Sequence, residues 1–169
     1  MKKYVLVSIS FVVLAACASM RGPSATATLD SMGTSAAKGT VTFVQLTDDS
    51  VEVTVDATGV PPGVHGFHVH EGSQCGSDGM AAGGHFNPTN VAHGAPNEDP
   101  HHAGDFGNVT ADNNGVVHAQ FSLHGITVKA GASSVVGRAV ILHANPDDLT
   151  TQPTGNAGGR IACGVTQAK

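Results

Sequence analysis

The amino-acid sequence predicts an all-β domain, a sandwich or flattened barrel of seven or eight short antiparallel strands with two long functional loops. Three observations carry this. Glycine is abundant, at 22 of 169 residues, aromatics make up 4% and tryptophan is absent. That composition suits short strands joined by many turns and argues against a helical bundle. Apolar and polar residues alternate with a period of two in several runs, and no segment keeps a helical period over three turns. Turn signals recur about every 8–12 residues.

The first segment stands apart from the fold. Lys2 and Lys3 precede a largely apolar stretch from Val5 to Ala16, too short to span a bilayer and suited to a signal peptide, so residues 1–16 are expected to be removed. Leu14-Ala15-Ala16-Cys17 resembles the bacterial lipobox, in which the cysteine becomes the lipidated first residue. The expectation is an exported chain in the cell envelope, anchored to a membrane through Cys17. Ala18 fits an outer membrane facing the periplasm if the cell is Gram-negative. The plainer reading is a secretory signal with an incidental cysteine. Cys75 and Cys163 remain after cleavage, enough for one bridge in an oxidising compartment.

Residues 17–37 are small and polar and read as a linker, with Ala25–Asp30 as a first edge strand. The domain proper runs over 38–169, or from near 24 if that strand belongs to it. Val41, Phe43 and Gln45 alternate with Thr42, Val44 and Leu46, and Asp48-Asp49 turns the chain. Val51, Val53 and Val55 then alternate with Glu52, Thr54 and Asp56, a half-buried strand. Pro61-Pro62-Gly63 precedes a strand over His65–His70. Further strands fall at Gly107–Thr110, Val116–Leu123, Val136–His143 and Ile161–Val165, with Asp112-Asn113-Asn114-Gly115 as a hairpin turn. The connections left over are Glu71–Gly104 and Ala144–Gly159. Loops that long in a compact domain are usually functional or disordered.

Charge excludes one class of partner. The net charge is -5 and no basic stripe occurs, so nucleic acid is not expected. Histidine is the unusual residue: of 10 in the chain, seven lie between Gly63 and Gly104. His68 and His70 sit two apart on a strand, so both imidazoles project from one face. His143, closing a neighbouring strand, and His85, opening His85-Phe86-Asn87-Pro88, complete four imidazoles, a set that suits Cu(II). His85, His93, His102 and Asp105 form a second set of three nitrogens and one carboxylate, which suits tetrahedral Zn(II). His85 is common to both, and an imidazole has two opposed nitrogens with which to bridge metals. The alternative is a His-rich loop that scavenges metal loosely; the interspersed Gly, Asn-Pro and Asp oppose it.

Gly66-Phe67-His68-Val69-His70-Glu71-Gly72-Ser73-Gln74-Cys75, Gly83-Gly84-His85-Phe86-Asn87-Pro88, His101–Val109 and Asn156–Val165 together resemble the copper/zinc superoxide dismutases, in the bacterial exported lipoprotein form. The resemblance covers roughly Ser24 to Val165. It implies an eight-stranded antiparallel Greek-key flattened barrel with one copper and one zinc per subunit. His68, His70, His85 and His143 match the copper ligands; His85, His93, His102 and Asp105 match the zinc ligands. Cys75 and Cys163 match an intrachain disulfide pinning the metal loop to the last strand. Arg160 matches an arginine beside the copper, and Asp147 a carboxylate that hydrogen-bonds a histidine from each metal. The implied activity is disproportionation of superoxide to dioxygen and hydrogen peroxide by Cu(II)/Cu(I) cycling. Arg160 would guide the anion and His85 would carry a proton. A non-catalytic copper/zinc store or copper chaperone on the same fold is the alternative, and a homodimer is left open.

Four histidines receive duller roles. His65 is placed on the ligands' strand face and read as hydrogen-bonding backbone near the site. His101 is set aside because only His102 gives the family's spacing to Asp105, and His118 and His124 are read as solvated. The sequence also departs from the family. The 144–159 loop is short, and Pro153 stands before Thr154-Gly155-Asn156 where many relatives carry lysine.

Overall fold

A computed structural model describes residues 22–96 and 98–169. The leader and Cys17 lie outside the described residues. Among the described residues nine strands form: β1 (Ser24–Ser31), β2 (Lys38–Gln45), β3 (Ser50–Thr58), β4 (Gly63–Val69), β5 (Asp105–Ala111), β6 (Val117–His124), β7 (Ala139–His143), β8 (Arg160–Val165) and the short β9 (Gln167–Ala168). The only helix among the described residues is one 3₁₀ turn, Met80–Ala82.

The alternation read from the sequence is what closes the barrel. Val41, Phe43, Val51, Val53 and Val55 are fully buried, and β2 and β3 pair antiparallel with Val41 opposite Val55 and Phe43 opposite Val53. The inward side chains therefore stack across the ladder while the threonines between them face outward. β6 continues the pattern, burying Val117 and Leu123 and exposing His118 and His124. Inside, Phe106 packs against Phe43, Phe67 and Phe121 at centroid distances of 6.3, 5.9 and 6.3 Å. Burying each such ring contributes roughly 1.5–3 kcal/mol.

The strand order is β5-β4-β7-β8-β1-β2-β3-β6, antiparallel throughout, with β5 and β6 unpaired at the two ends. This is a nearly closed barrel. β3 lies beside β6 and β7 beside β4, so the β3–β4 and β6–β7 connections cross between the two sheets in Greek-key fashion.

Three expectations are corrected. The Ala25–Asp30 segment is not an edge strand. Ser24–Leu29 pairs with β2 and Asp30–Ser31 with β8, so β1 is interior and joins the two sheets. Its inward residues, Ala25, Ala27 and Leu29, are buried and mostly small, which lets both sheets close over it and explains the weak sequence signal. The strand expected from Val136 begins only at Ala139, because Gly137 takes a positive φ of 82°. Residues 125–138 thereby form a third long connection, closed by a Thr127–Ser134 bridge. The two loops expected at 71–104 and 144–159 are present, and both lie against β4, β7 and β8.

Candidate metal centre

β4 and β7 run side by side, with Phe67 opposite Leu142 and His68 opposite Ile141. His68 near the end of β4 and His70 just beyond it project from one face, and His143 at the end of β7 reaches the same place. Gly66 makes room: a side chain there would meet Ala157 Cβ at 2.8 Å and His68 Cε1 at 3.1 Å. The long loop doubles back to deliver His85. Glu71 N donates to Gly84 O at 2.9 Å, Phe86 N donates to Val69 O at 2.9 Å, and His70 and His85 form an isolated bridge.

Two groups result, and all their members are buried. Candidate ligand atoms of His68, His70, His85 and His143 lie within 4.8 Å of one another, as do those of His85, His93, His102 and Asp105. His85 belongs to both.

Hydrogen bonds fix which nitrogens face inward. His68 Nε2 donates to Asp147 Oδ2 at 2.7 Å, His70 Nδ1 to Gly83 O at 3.0 Å and His143 Nδ1 to Gly158 O at 3.3 Å. A neutral imidazole carries one N–H, so the opposite nitrogen of each ring presents a lone pair to the cluster. His70 Nε2 and His143 Nε2 stand 3.3 Å apart, lone pair against lone pair, an arrangement that a cation between them satisfies. In the second group, His93 Nε2 donates to Asp147 Oδ1 at 3.1 Å and His102 Nε2 to Val91 O at 3.1 Å. Their Nδ1 atoms and that of His85 converge on Asp105 Oδ1 at 3.0, 3.2 and 2.7 Å. His68 Nδ1, His85 Nε2, His93 Nδ1 and His102 Nδ1 are buried without a hydrogen-bond partner. Four orphaned nitrogens in two adjoining clusters are what metal ligation would satisfy. The donor sets fit one nitrogen-only and one three-nitrogen, one-oxygen ion site.

Electrostatics separates the groups. Burial holds His68 at about 4 against the pull of Asp147, holds His143 at about 3 and pushes His70 well below the usual imidazole range. Burial also lowers His102. For His93 burial acts in the same sense, but the Asp105 and Asp147 carboxylates on its two sides outweigh it and raise the ring to about 9. Burial would raise Asp105 and Asp147 themselves. The His85 hydrogen bond and the close approach of His93 to the first, and hydrogen bonds from His68 and His93 to the second, override it and hold both carboxyls well below the ordinary range.

Asp147 therefore spans the two groups, and the chain secures it from three sides. Asn108 accepts from Asp147 N at 2.8 Å and donates to Asp147 O at 3.0 Å. Leu149 N donates to Asp147 Oδ1 at 2.7 Å. Gly155, at φ +68°, leaves the space its oxygen fills, since a Cβ there would lie 1.7 Å from Oδ1. Arg160 lies across the β7–β8 ladder from His143. Its guanidinium donates to Gly79 O and, at 2.6 Å, to Gly83 O, the carbonyl that also accepts from His70. Cys75 and Cys163 are bridged, tying the loop that holds Gly79 and Gly83 to β8.

His65 makes the backbone hydrogen bonds expected of it, to His143 O at 2.9 Å and Pro61 O at 2.7 Å. Its expected face is corrected: alternation along β4 puts it with Phe67 and Val69, opposite His68 and His70. His101 stands outside both groups with its Nδ1 2.8 Å from His102 O, and the rings of His118 and His124 are exposed. Sequence reasoning missed Asn108, Gln152 and Arg138. Arg138 stacks 3.6 Å over the Phe86 ring and donates to Glu71 O at 2.8 Å, so it holds the residues that follow His85 and His70. The one available signal was Asn108, a poor strand former in the middle of β5.

The family model for copper/zinc superoxide dismutase matches residues 37–166, which include every member of both groups. Among solved structures the chain is similar to the clock protein EA4, at 37% identity and a TM-score of 0.77, with 95% of this chain and 99% of that one covered. Barrel, paired ligand groups and matched length agree, and the chain belongs to the copper/zinc superoxide dismutase family.

Proposed function

We propose that the chain is an exported superoxide dismutase, with copper held by His68, His70, His85 and His143 and zinc held by His85, His93, His102 and Asp105. The observation that carries the reading is the convergence of unpartnered, buried nitrogens on two adjoining points with His85 between them. Copper held by these four histidines would supply one-electron exchange, by which two superoxide anions and two protons become dioxygen and hydrogen peroxide.

The protein's own groups do the rest. Superoxide is an anion and the chain is net acidic, so attraction must be local. Arg160, half-buried and adjoining His70 and His143, supplies that positive field and a donor for docking. His85 Nε2, facing the first group, is the atom positioned to hold a proton and pass it to the departing peroxide. Asp147 takes the Nε2 side of both His68 and His93 and so orients each ring with Nδ1 facing its metal group. The disulfide holds the Gly79 and Gly83 carbonyls under Arg160.

The fold alone does not carry the activity. The solved relative is named a clock protein, and a copper/zinc store or copper chaperone on the same barrel is the second reading. The Arg160→Ala variant separates them. An enzyme should lose turnover on the order of tenfold or more with copper and zinc content unchanged; turnover equal to the native chain's would contradict the guidance role.

The proposal includes removal of residues 1–16 and lipid attachment at Cys17, which would place the enzyme on a membrane in the cell envelope. Cys17→Ala should release the protein from the membrane fraction, and retention there would overturn the anchor.

A further inference from the structure

The 144–159 loop does more than carry Asp147. Asp148 folds it, accepting from Thr150 N at 3.0 Å and Thr151 N at 2.7 Å, and the turn is closed by Gly155 N donating to Thr151 O at 2.7 Å. This presents Gln152 to the other loop. Gln152 Oε1 accepts from His93 N at 2.9 Å and Gln152 Nε2 donates to His93 O at 2.9 Å, across 59 residues of sequence. One primary amide thus meets both polar groups of the His93 backbone. Asp147, five residues earlier, meets the far nitrogen of the same ring. The neighbours of His93 are braced separately: Asn87 Nδ2 donates to Val91 O at 2.9 Å, Val91 N donates to Asn87 Oδ1 at 3.1 Å, and Gly94 N donates to Asp105 Oδ2 at 3.1 Å. Gln152 is thus the side chain that holds the His93 backbone itself.

We infer that Gln152 is a positioning residue for the second metal group, acting through His93. The inference rests on the reading that this group holds zinc. A histidine on an irregular loop has a backbone free to rotate its ring out of line. The Asp147 contact fixes one ring nitrogen but not the place of the Cα. Gln152 fixes the Cα, and the two together aim Nδ1 at Asp105 Oδ1. The segment Asp147–Gln152 then works as a two-point holder for His93, with Asp148 setting the turn between the points. Asp147 also meets His68 of the first group, but the hydrogen bonds of Gln152 reach only the second loop and its own turn, while His68 and His143 are set by strand pairing.

The test is zinc affinity of the metal-stripped full chain, measured by competition with a chelating dye using Zn(II) ion alone as probe. Copper affinity and the unfolding temperature of the stripped chain are measured alongside. Removing an outer partner of a metal-ligating histidine typically weakens binding about 10–100-fold. Gln152→Ala is expected to weaken zinc by that factor and leave copper affinity and the stripped chain's unfolding temperature near native values. Gln152→Glu keeps the acceptor for His93 N and loses the donor to His93 O, so its zinc affinity should fall between the two. Co(II) in the zinc position should show an altered ligand-field spectrum in Gln152→Ala, a signature that general loosening of the barrel would not produce on its own. Zinc affinity within about twofold of native in both variants would overturn the inference. So would equal losses of zinc, copper and unfolding temperature, which would mark Gln152 as a general structural contact. A native chain that takes up no zinc would overturn the metal reading beneath it, and the inference with it.

Discussion

The two ligand groups share His85 and differ in nearly everything else. In the first, His68, His70 and His143 stand on or beside paired strands, and cross-strand register alone brings them together. In the second, His93 and His102 lie on irregular loop, and only Asp105 belongs to a strand. In the first group burial outweighs the neighbouring charges and holds His68 and His143 neutral. The second is built around carboxylates, which keep His93 charged in the metal-free chain. Where strands supply ligands, the barrel pays the ordering cost in advance. Where loops supply them, extra side chains must do it, here Asp147, Gln152 and the Cys75–Cys163 bridge.

The largest expected effect tests that dependence. The bridge closes a loop with a sequence separation of 88, which by the chain-entropy argument is worth about 4–5 kcal/mol. Cys75→Ser should lower the unfolding free energy of the metal-free chain by about that amount in a denaturant titration. A loss under about 1 kcal/mol would show that the loop is ordered without the bridge.

The next sharpens the electrostatic contrast. His93 sits above the ordinary value of 6.5, at about 9. Its protonated form therefore stabilises the metal-free fold below pH 6.5, and that contribution is lost as pH rises through about 9. His68 and His143 sit below 6.5, at about 4 and 3. The metal-free fold therefore loses stability as pH falls from 6.5 towards those values, and the depressed Asp105 and Asp147 add a further loss in stronger acid. Metal and proton compete for these nitrogens. Zinc affinity should rise about tenfold per pH unit between pH 6 and 8, because one proton must leave His93, while copper affinity should stay nearly flat. Equal slopes would contradict the contrast. On acidification zinc should leave before copper.

Asp147→Ala is expected to have the smallest effect of the three and to break the symmetry of a shared residue. It removes a partner from each group, but His68 remains held by its strand. Zinc should weaken about 10–100-fold and copper by less; competition titrations of the two ions would show whether the order is reversed.

The sequence was most legible where side chains alternate. The valines of β2 and β3 announce both strands and their inward face, and both ligand groups were visible from spacing and from the family resemblance. β1 was misplaced at an edge because small residues pack between two sheets without leaving a strong apolar signature. The late start of β7 turns on Gly137's positive φ, which composition does not reveal. Gln152 and Asn108 were missed for a common reason. Each acts by bonding a distant backbone, at separations of 59 and 39 residues, and no local pattern records such a partner.

The most direct test of the account is superoxide turnover by the stripped chain reloaded with copper alone, with zinc alone and with both, beside measured metal content. The account expects rapid turnover in the copper-containing forms and none with zinc alone. One copper and one zinc bound per chain without turnover would contradict the enzymatic reading and leave the store.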